Sequence, residues 1–127
     1  MHGTSTPAGD AIELLSVVDA LGEDNYHVCA PKSQFGHMLG GAGAVEFITA
    51  LLMLEKQMVL PCLNAVTLNP ELEKFQKADG WEGPSKPLAA YRDIVQQKAF
   101  AKEINHVTCL NYGFGGTNSA MSVSRDV

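Results

Sequence analysis

The sequence has little of what marks several common protein classes. Its three cysteines, Cys29, Cys62 and Cys109, are widely separated, odd in number and free of any CxxC spacing. This pattern argues against a disulfide framework and indicates reduced thiols in a cytosol-like compartment. Basic residues are also few, since 9 Lys and Arg stand against 14 Asp and Glu for a net charge of −5. A nucleic-acid partner is therefore not predicted.

Long hydrophobic runs and metal-ligand spacings are missing as well. The longest apolar run, about Ala42 to Leu54, contains Glu46 and is shorter than the roughly 20 residues that cross a bilayer. The N-terminus does not show the basic-then-apolar pattern of a signal peptide. The four histidines and three cysteines have no zinc-finger or i,i+4 spacing, so no metal is expected. We expect a cytoplasmic protein without a membrane partner, or one of an organelle matrix if the source is eukaryotic.

What is present suits one globular domain. The chain has 127 residues, of which 46% are hydrophobic, enough for a single core. A helix is predicted from Ala11 to Leu21, with Asp10 as its cap, Glu13 in a capping box and Gly22 as its stop. A second helix is predicted from about Gly40–Ala42 to Gln57.

Extended segments separate and follow these helices, which predicts an α/β fold. Short strands are expected over His27–Ala30 and Met58–Leu63, and a hairpin from His106 to Ser124 encloses a glycine loop. The segment from about 70 to 105 carries turn signals and is predicted to be a surface excursion, in which a short helix over Leu88–Lys102 is possible. Residues 1–127 together are expected to form a single partial domain.

The stretch from Lys32 to Glu46 is the strongest candidate for a site. It places Lys32 and His37 before a glycine-rich turn that opens the second helix. Free N–H groups and the positive end of the helix dipole favour negative charge at such a place. Glu46 follows Val45 in an apolar run, so it is predicted to be buried and to need a partner, for which Lys32 is the candidate. The alternative is a turn and a core helix whose Lys and Glu point to solvent.

Three motifs carry a resemblance to a known family. They are His-Gly-Thr-Ser-Thr-Pro-Ala-Gly-Asp from His2, Lys-Ser-Gln-Phe-Gly-His from Lys32, and Gly-Phe-Gly-Gly-Thr-Asn from Gly113. In this order they resemble the C-terminal half of elongating, type II-like β-ketoacyl-acyl carrier protein synthases of the thiolase superfamily. The resemblance implies a thiolase-like half-domain, with helices packed on one mixed sheet that lacks its first strand. The strands of that sheet are expected near Val28, Val59, Val107 and Met121.

The resemblance implies an acyltransferase of fatty acid synthesis, which condenses malonyl-carrier protein with an acyl-enzyme thioester as CO2 is lost. In this family the nucleophilic cysteine lies in an N-terminal half that the chain lacks, so the chain alone is predicted to be inactive. The implied partners are acyl carrier protein, that N-terminal half and a second synthase in a homodimer. No cofactor is expected, since phosphopantetheine enters on the carrier protein. The alternatives are a separately encoded, non-catalytic pairing or regulatory subunit of a ketosynthase complex, and a thiolase-type hydrolase or ligand-binding module.

Individual roles are likewise implied by the resemblance. His2 and His37 would stabilise the enolate formed on decarboxylation, and Lys32 and Glu46 would order the site. The N–H of Phe114 would supply one arm of an oxyanion hole, while its ring, set between glycines, would gate access of the acyl chain. The implied substrate-binding residues are Thr4, Thr6, Gly115, Gly116 and Asn118, with both threonines on the phosphopantetheine arm.

The chain departs from the family just before the glycine loop. The family commonly has Asn-Ser-Phe there, whereas this sequence has Leu110-Asn111-Tyr112. The contacts that support the loop are therefore left open by the resemblance. The other two histidines, His27 and His106, lie outside every motif and are interpreted as structural or surface residues.

Overall fold

The computed structural model describes residues 1–22, 25–84, 91 and 95–125. The helices are α1 (Pro7–Leu21), α2 (Lys32–Phe35), α3 (Ala42–Lys56) and α4 (Glu71–Gln76), with a 3-10 turn over Leu39–Gly41. The strands are β1 (Met58–Val59), β2 (Phe100–Ala101), β3 (His106–Gly113) and β4 (Thr117–Ser124).

Helix α1 begins at Pro7, four residues before the predicted start at Ala11. Pro is favoured in the first helical turn because its φ is already helical and its missing N–H would be unpaired there. Asp10 is therefore inside the first turn, where its Oδ1 accepts the backbone N–H groups of Ser5 and Thr6 at 3.1 and 3.4 Å. Gly22 ends the helix as predicted, with a φ of 77° that glycine adopts without strain.

The main core forms where α1 packs on α4. Leu15 is wholly buried, and Leu72 of α4 and Tyr91 are 1% and 2% exposed. Part of the segment predicted to be a surface excursion thus reaches the core. The helix expected over Leu88–Lys102 is wrong where the structure describes it, since Val95 bridges to Val28 and β2 follows. Residues 88–90 and 92–94 of that helix lie outside the described residues, and the single partial domain stays a prediction.

The α/β class is confirmed, but the strands are arranged differently from the expected mixed sheet. Within the described residues they form two antiparallel pairs, β1 with β2 and β3 with β4. The run His27–Ala30 contributes only Val28, in a parallel bridge to Val95. Pro31 ends this run after four residues, and a proline has no N–H with which to extend a ladder. The β3–β4 hairpin, from the pair His106–Ser124 to Gly113–Thr117, is the one predicted.

Helix α3 follows its prediction closely and ends at Gln57, which takes a left-handed conformation as the C-cap. The Gln57 side chain clamps the chain before β3, because it both donates to the Ile104 carbonyl and accepts the Ile104 N–H, at 2.9 Å each. One face of α3 contacts β1, β3 and β4. The opposite face exposes Ile48, Leu51 and Leu52. None of the helices in the described part of the chain is long and apolar enough to cross a membrane.

Candidate active site

Two histidines far apart in the sequence meet in the fold. The rings of His2 and His37 lie edge to face, with centroids 5.6 Å apart and an interplanar angle of 84°. His2 precedes α1, and His37 lies between α2 and the 3-10 turn. The structure thus brings together the pair for which the resemblance implied a shared role.

Glu13 holds the segment that carries His2. Its carboxylate is buried on α1 and accepts the backbone N–H of His2 at 2.6 Å through Oε1 and that of Gly3 at 2.9 Å through Oε2. The predicted capping box is therefore wrong, because Glu13 faces the N-terminal segment and both of its oxygens are used there. Sequence reasoning missed this function. The available signal was a carboxylate next to Leu14 on the apolar face of the helix.

A backbone contact determines which nitrogen of His37 carries the proton in the neutral ring. Nδ1 accepts the N–H of Leu39 at 3.2 Å, a bond that needs an unprotonated Nδ1 and therefore puts the proton on Nε2. Leu39 has a φ of 50°, a left-handed conformation that is uncommon for a branched residue. We infer this tautomer from the hydrogen bond. It leaves Nε2–H as a donor.

A buried ion pair joins the first short helix to α3. Lys32 Nζ contacts Glu46 Oε1, and the two side chains are only 5% and 4% exposed. Asn111 Nδ2 donates to the other oxygen, Oε2, at 2.7 Å, so the carboxylate is satisfied on both sides. The predicted pairing is confirmed, and the alternative with Lys32 and Glu46 in solvent is wrong. Sequence reasoning did not find Asn111, although it noted the departure in which this residue lies.

The glycine loop sits at the tip of the hairpin. Gly115 and Gly116 have φ values of 82° and 80°, which a residue with a Cβ rarely adopts. Phe114 beside them is fully exposed. Asn118 pairs with Tyr112 across the two strands. Tyr112 is the hairpin residue that meets the histidines, since its ring centroid is 5.5 Å from that of His2.

A cavity of about 690 Å³ opens beside His37. Thr4, Thr6, Lys32 and His37 line it together with Cys62 and a group of apolar side chains. The structure thus gathers the N-terminal members of the implied substrate set around one space. Gly115, Gly116 and Asn118, the implied substrate-binding residues of the hairpin, are not among the described residues that line this cavity. The apolar lining consists of Ala11, Leu14, Val28, Leu68, Leu72 and Val95, among others.

The three thiols are poor nucleophiles in these surroundings. Burial, as the largest cause, raises the pKa of Cys29, Cys62 and Cys109 above its ordinary value. The reactive thiolate is therefore scarce at neutral pH, which agrees with the prediction that none of them is the catalytic nucleophile. Among the residues that the structure describes, no group of three His, Cys, Asp or Glu side chains is placed to hold a metal ion.

Replacing Glu13 by Gln is expected to loosen the His2 segment. One carboxylate oxygen becomes an NH2 group, which cannot accept a backbone N–H, so one buried bond is lost at a cost of about 1–3 kcal/mol. Urea unfolding measures the loss, and amide hydrogen exchange at His2 and Gly3 locates it. The control is Glu55→Gln, since Glu55 pairs with Lys56 in solvent. Equal effects of the two substitutions would contradict the role of Glu13.

Comparisons with known proteins show which family the chain resembles. The family model described as beta-ketoacyl synthase, C-terminal domain, matches residues 1–66. The 3-oxoacyl-[acyl-carrier-protein] synthase 2 of Vibrio cholerae is 39% identical over 127 residues, covering 98% of this chain and 27% of that protein. The synthase 2 of Vibrio harveyi is 37% identical over 123 residues, covering 94% and 25%.

A solved structure, the ishigamide ketosynthase/chain length factor, superposes with a TM-score of 0.78 at 25% identity, over 99% of this chain and 27% of that one. The thiolase-like fold is thereby confirmed. The chain spans about a quarter of the length of these relatives. With more than half of its residues matched by the family model, the chain belongs to the β-ketoacyl synthases, as a C-terminal fragment of such a synthase.

Proposed function

We propose that this chain is the part of a 3-oxoacyl-[acyl-carrier-protein] synthase that decarboxylates malonyl-carrier protein in fatty acid synthesis. The observation that carries the proposal is the edge-to-face meeting of His2 with His37, a residue that lines a cavity of about 690 Å³. Both Vibrio relatives bear the name of such a synthase. The nucleophilic cysteine would come from the portion of the synthase that this chain does not span.

The chemistry needs hydrogen-bond donors where charge appears. As CO2 leaves the malonyl thioester, the electrons of the breaking C–C bond move toward the thioester carbonyl and form an enolate. Donors aimed at that oxygen act mainly in the transition state, at about 3–4 kcal/mol each in other enzymes. The Nε2–H of His37 is such a donor, and His2 would be the second. The enolate carbon then attacks the acyl thioester, whose cysteine leaves as thiolate.

Lys32 and Glu46 would order the site and take no part in proton transfer. Lys32 lines the cavity, but its ammonium is held by Glu46. Glu46 is in turn fixed by Asn111 of β3. This chain of contacts ties α2, and with it the turn that carries His37, to α3 and to the hairpin.

The cavity suits the arm that carries the malonyl group. Hydroxyl groups of Thr4 and Thr6 and a mostly apolar remainder line it, and a phosphopantetheine chain alternates amides with methylene groups in the same way. Phe114, Gly115, Gly116 and Asn118 would act from the hairpin, where the N–H of Phe114 supplies one arm of the oxyanion hole and its ring gates the acyl chain. Acyl carrier protein and a second synthase in a cytoplasmic homodimer are the partners we propose.

The second candidate is a separately encoded pairing or regulatory subunit. It is kept because the similar solved structure is named for a ketosynthase together with a chain length factor. His37 favours the catalytic role, because a subunit without chemistry has no use for an imidazole whose tautomer is set by the Leu39 N–H.

A chimera tests the proposal. This chain would replace the matching C-terminal quarter of the Vibrio harveyi synthase, and release of CO2 from malonyl-carrier protein and formation of 3-oxoacyl product would be measured. We expect the chimera to form product and this chain alone to form none. Product from the purified chain alone, or a folded chimera without CO2 release, would contradict the proposal, and the second result would favour the pairing subunit.

A further inference from the structure

Tyr112 lies where the hairpin meets the histidine pair. It is the penultimate residue of β3, and its ring meets that of His2 at an interplanar angle of 62° and a centroid distance of 5.5 Å. His37 contacts the same imidazole at 5.6 Å. The imidazole of His2 thus contacts one ring on β3 and a second ring between α2 and the 3-10 turn.

These ring contacts matter because, among the described residues, Nδ1 of the imidazole has no hydrogen bond that would fix the ring. The second side-chain torsion of histidine has a broad energy profile, so a hydrogen bond to a ring nitrogen usually sets the orientation. In His2 the Nδ1 atom is buried and has no hydrogen-bond partner within the described part of the chain. Glu13 holds only the backbone of this residue. The orientation of the ring is therefore left to packing.

The ring of Tyr112, and not its hydroxyl, makes the contact. The hydroxyl has no hydrogen bond to another described residue. Burial, and after it the negative charge of Glu13, raise the pKa of Tyr112, so the phenol stays neutral at physiological pH. Edge-to-face aromatic pairs contribute through ring geometry, which phenylalanine would keep and leucine would not.

We infer that Tyr112 is a positioning residue: its ring holds the imidazole of His2 in the orientation in which it faces His37. Tyr112 also connects the orientation of His2 to the glycine loop. The link is the end of the hairpin, since Tyr112 pairs with Asn118, and Gly113 pairs with Thr117 on either side of the loop. The inference rests on the proposed function. It adds a residue that acts through the ring of His2.

Tyr112→Leu in the chimera described above is expected to lower kcat for malonyl decarboxylation by about 10- to 100-fold, the range that misplacement of a catalytic group produces. KM and acyl transfer to the cysteine should stay within about twofold, because leucine keeps the backbone pairing of residue 112 with Asn118 that supports the glycine loop. Tyr112→Phe should restore decarboxylation to within about twofold of the parent chimera. The control is Thr108→Val, which removes the hydroxyl contact to Ser122 at 2.8 Å across the same hairpin.

A spectroscopic measurement separates positioning from general damage. The ring signals of His2 in nitrogen-15 NMR should shift in Tyr112→Leu and stay in place in Thr108→Val. Decarboxylation by Tyr112→Leu within twofold of the parent, or an equal loss of acyl transfer, would overturn the inference. His2→Ala is measured in parallel. Unchanged CO2 release in His2→Ala refutes the proposed function itself, whereas a loss there beside full activity of Tyr112→Leu refutes only the inference.

Discussion

Replacing His37 by alanine in the chimera is expected nearly to abolish release of CO2 from malonyl-carrier protein while leaving acyl transfer to the cysteine largely intact. One hydrogen-bond donor to the developing enolate is lost, and such a loss costs about 10²- to 10³-fold in kcat. Acyl transfer does not pass through this enolate. The two half-reactions are measured separately, as CO2 from malonyl-carrier protein and as acyl label on the enzyme.

The control for this variant is His106→Ala, since His106 is exposed at the start of β3 and has no part in the proposed chemistry. The two substitutions remove the same side chain and differ only in place. Decarboxylation by His37→Ala at the level of His106→Ala would remove His37 from the site. A parallel collapse of acyl transfer would show damage to the fold instead of lost enolate stabilisation.

Replacing Glu46 by alanine is expected to destabilise the protein by about 3–5 kcal/mol, because it leaves the ammonium of Lys32 buried without a counter-charge. The side chain of Lys32 is 5% exposed, so hydration replaces little of the lost ion pair. Asn111 loses its acceptor in the same step. Since whole domains are stable by only about 5–15 kcal/mol, the loss should be plain in urea unfolding.

Two further variants decide how this loss is interpreted. The double variant Lys32→Met, Glu46→Leu should recover most of the stability, because an apolar pair needs no desolvated charges. Glu73→Ala serves as the control, since its pair with Lys77 at the end of α4 lies in solvent, where such pairs contribute about 0.3–0.5 kcal/mol. A Glu46→Ala variant no less stable than Glu73→Ala would mean that the Lys32 pair is solvated.

Local patterns predicted those elements whose signals lie within one stretch of sequence. The run of good helix formers from Ala42 fixes α3, and glycines at the loop fix the hairpin. The start of α1 was misplaced because Asp10 looked like a cap, while the proline three residues earlier begins the helix. The mixed sheet failed because pairing of the short run near Val28 depends on residues far along the chain.

For the candidate site, too, the sequence predicted only some of the residues. Motifs gave His2, His37, Lys32 and Glu46, but not the groups that hold them. The sequence suggested a capping role for Glu13 because its actual partners are backbone N–H groups before α1. Backbone groups are the same in every residue, so no sequence pattern marks them. Asn111 and Tyr112 act across long sequence separations, so no periodicity marks them. Resemblance finds the reactive groups of a site, whereas their supports become visible only in three dimensions.

The clamp of Gln57 on Ile104 sets where the chain enters the hairpin. Asn111 and Tyr112 are neighbours on a strand, so they project to opposite sides, and an offset of a single residue would exchange them. Gln57 grips both backbone groups of Ile104 shortly before that strand. The grip of Gln57 thus fixes which of the two side chains reaches Glu46 and which reaches His2.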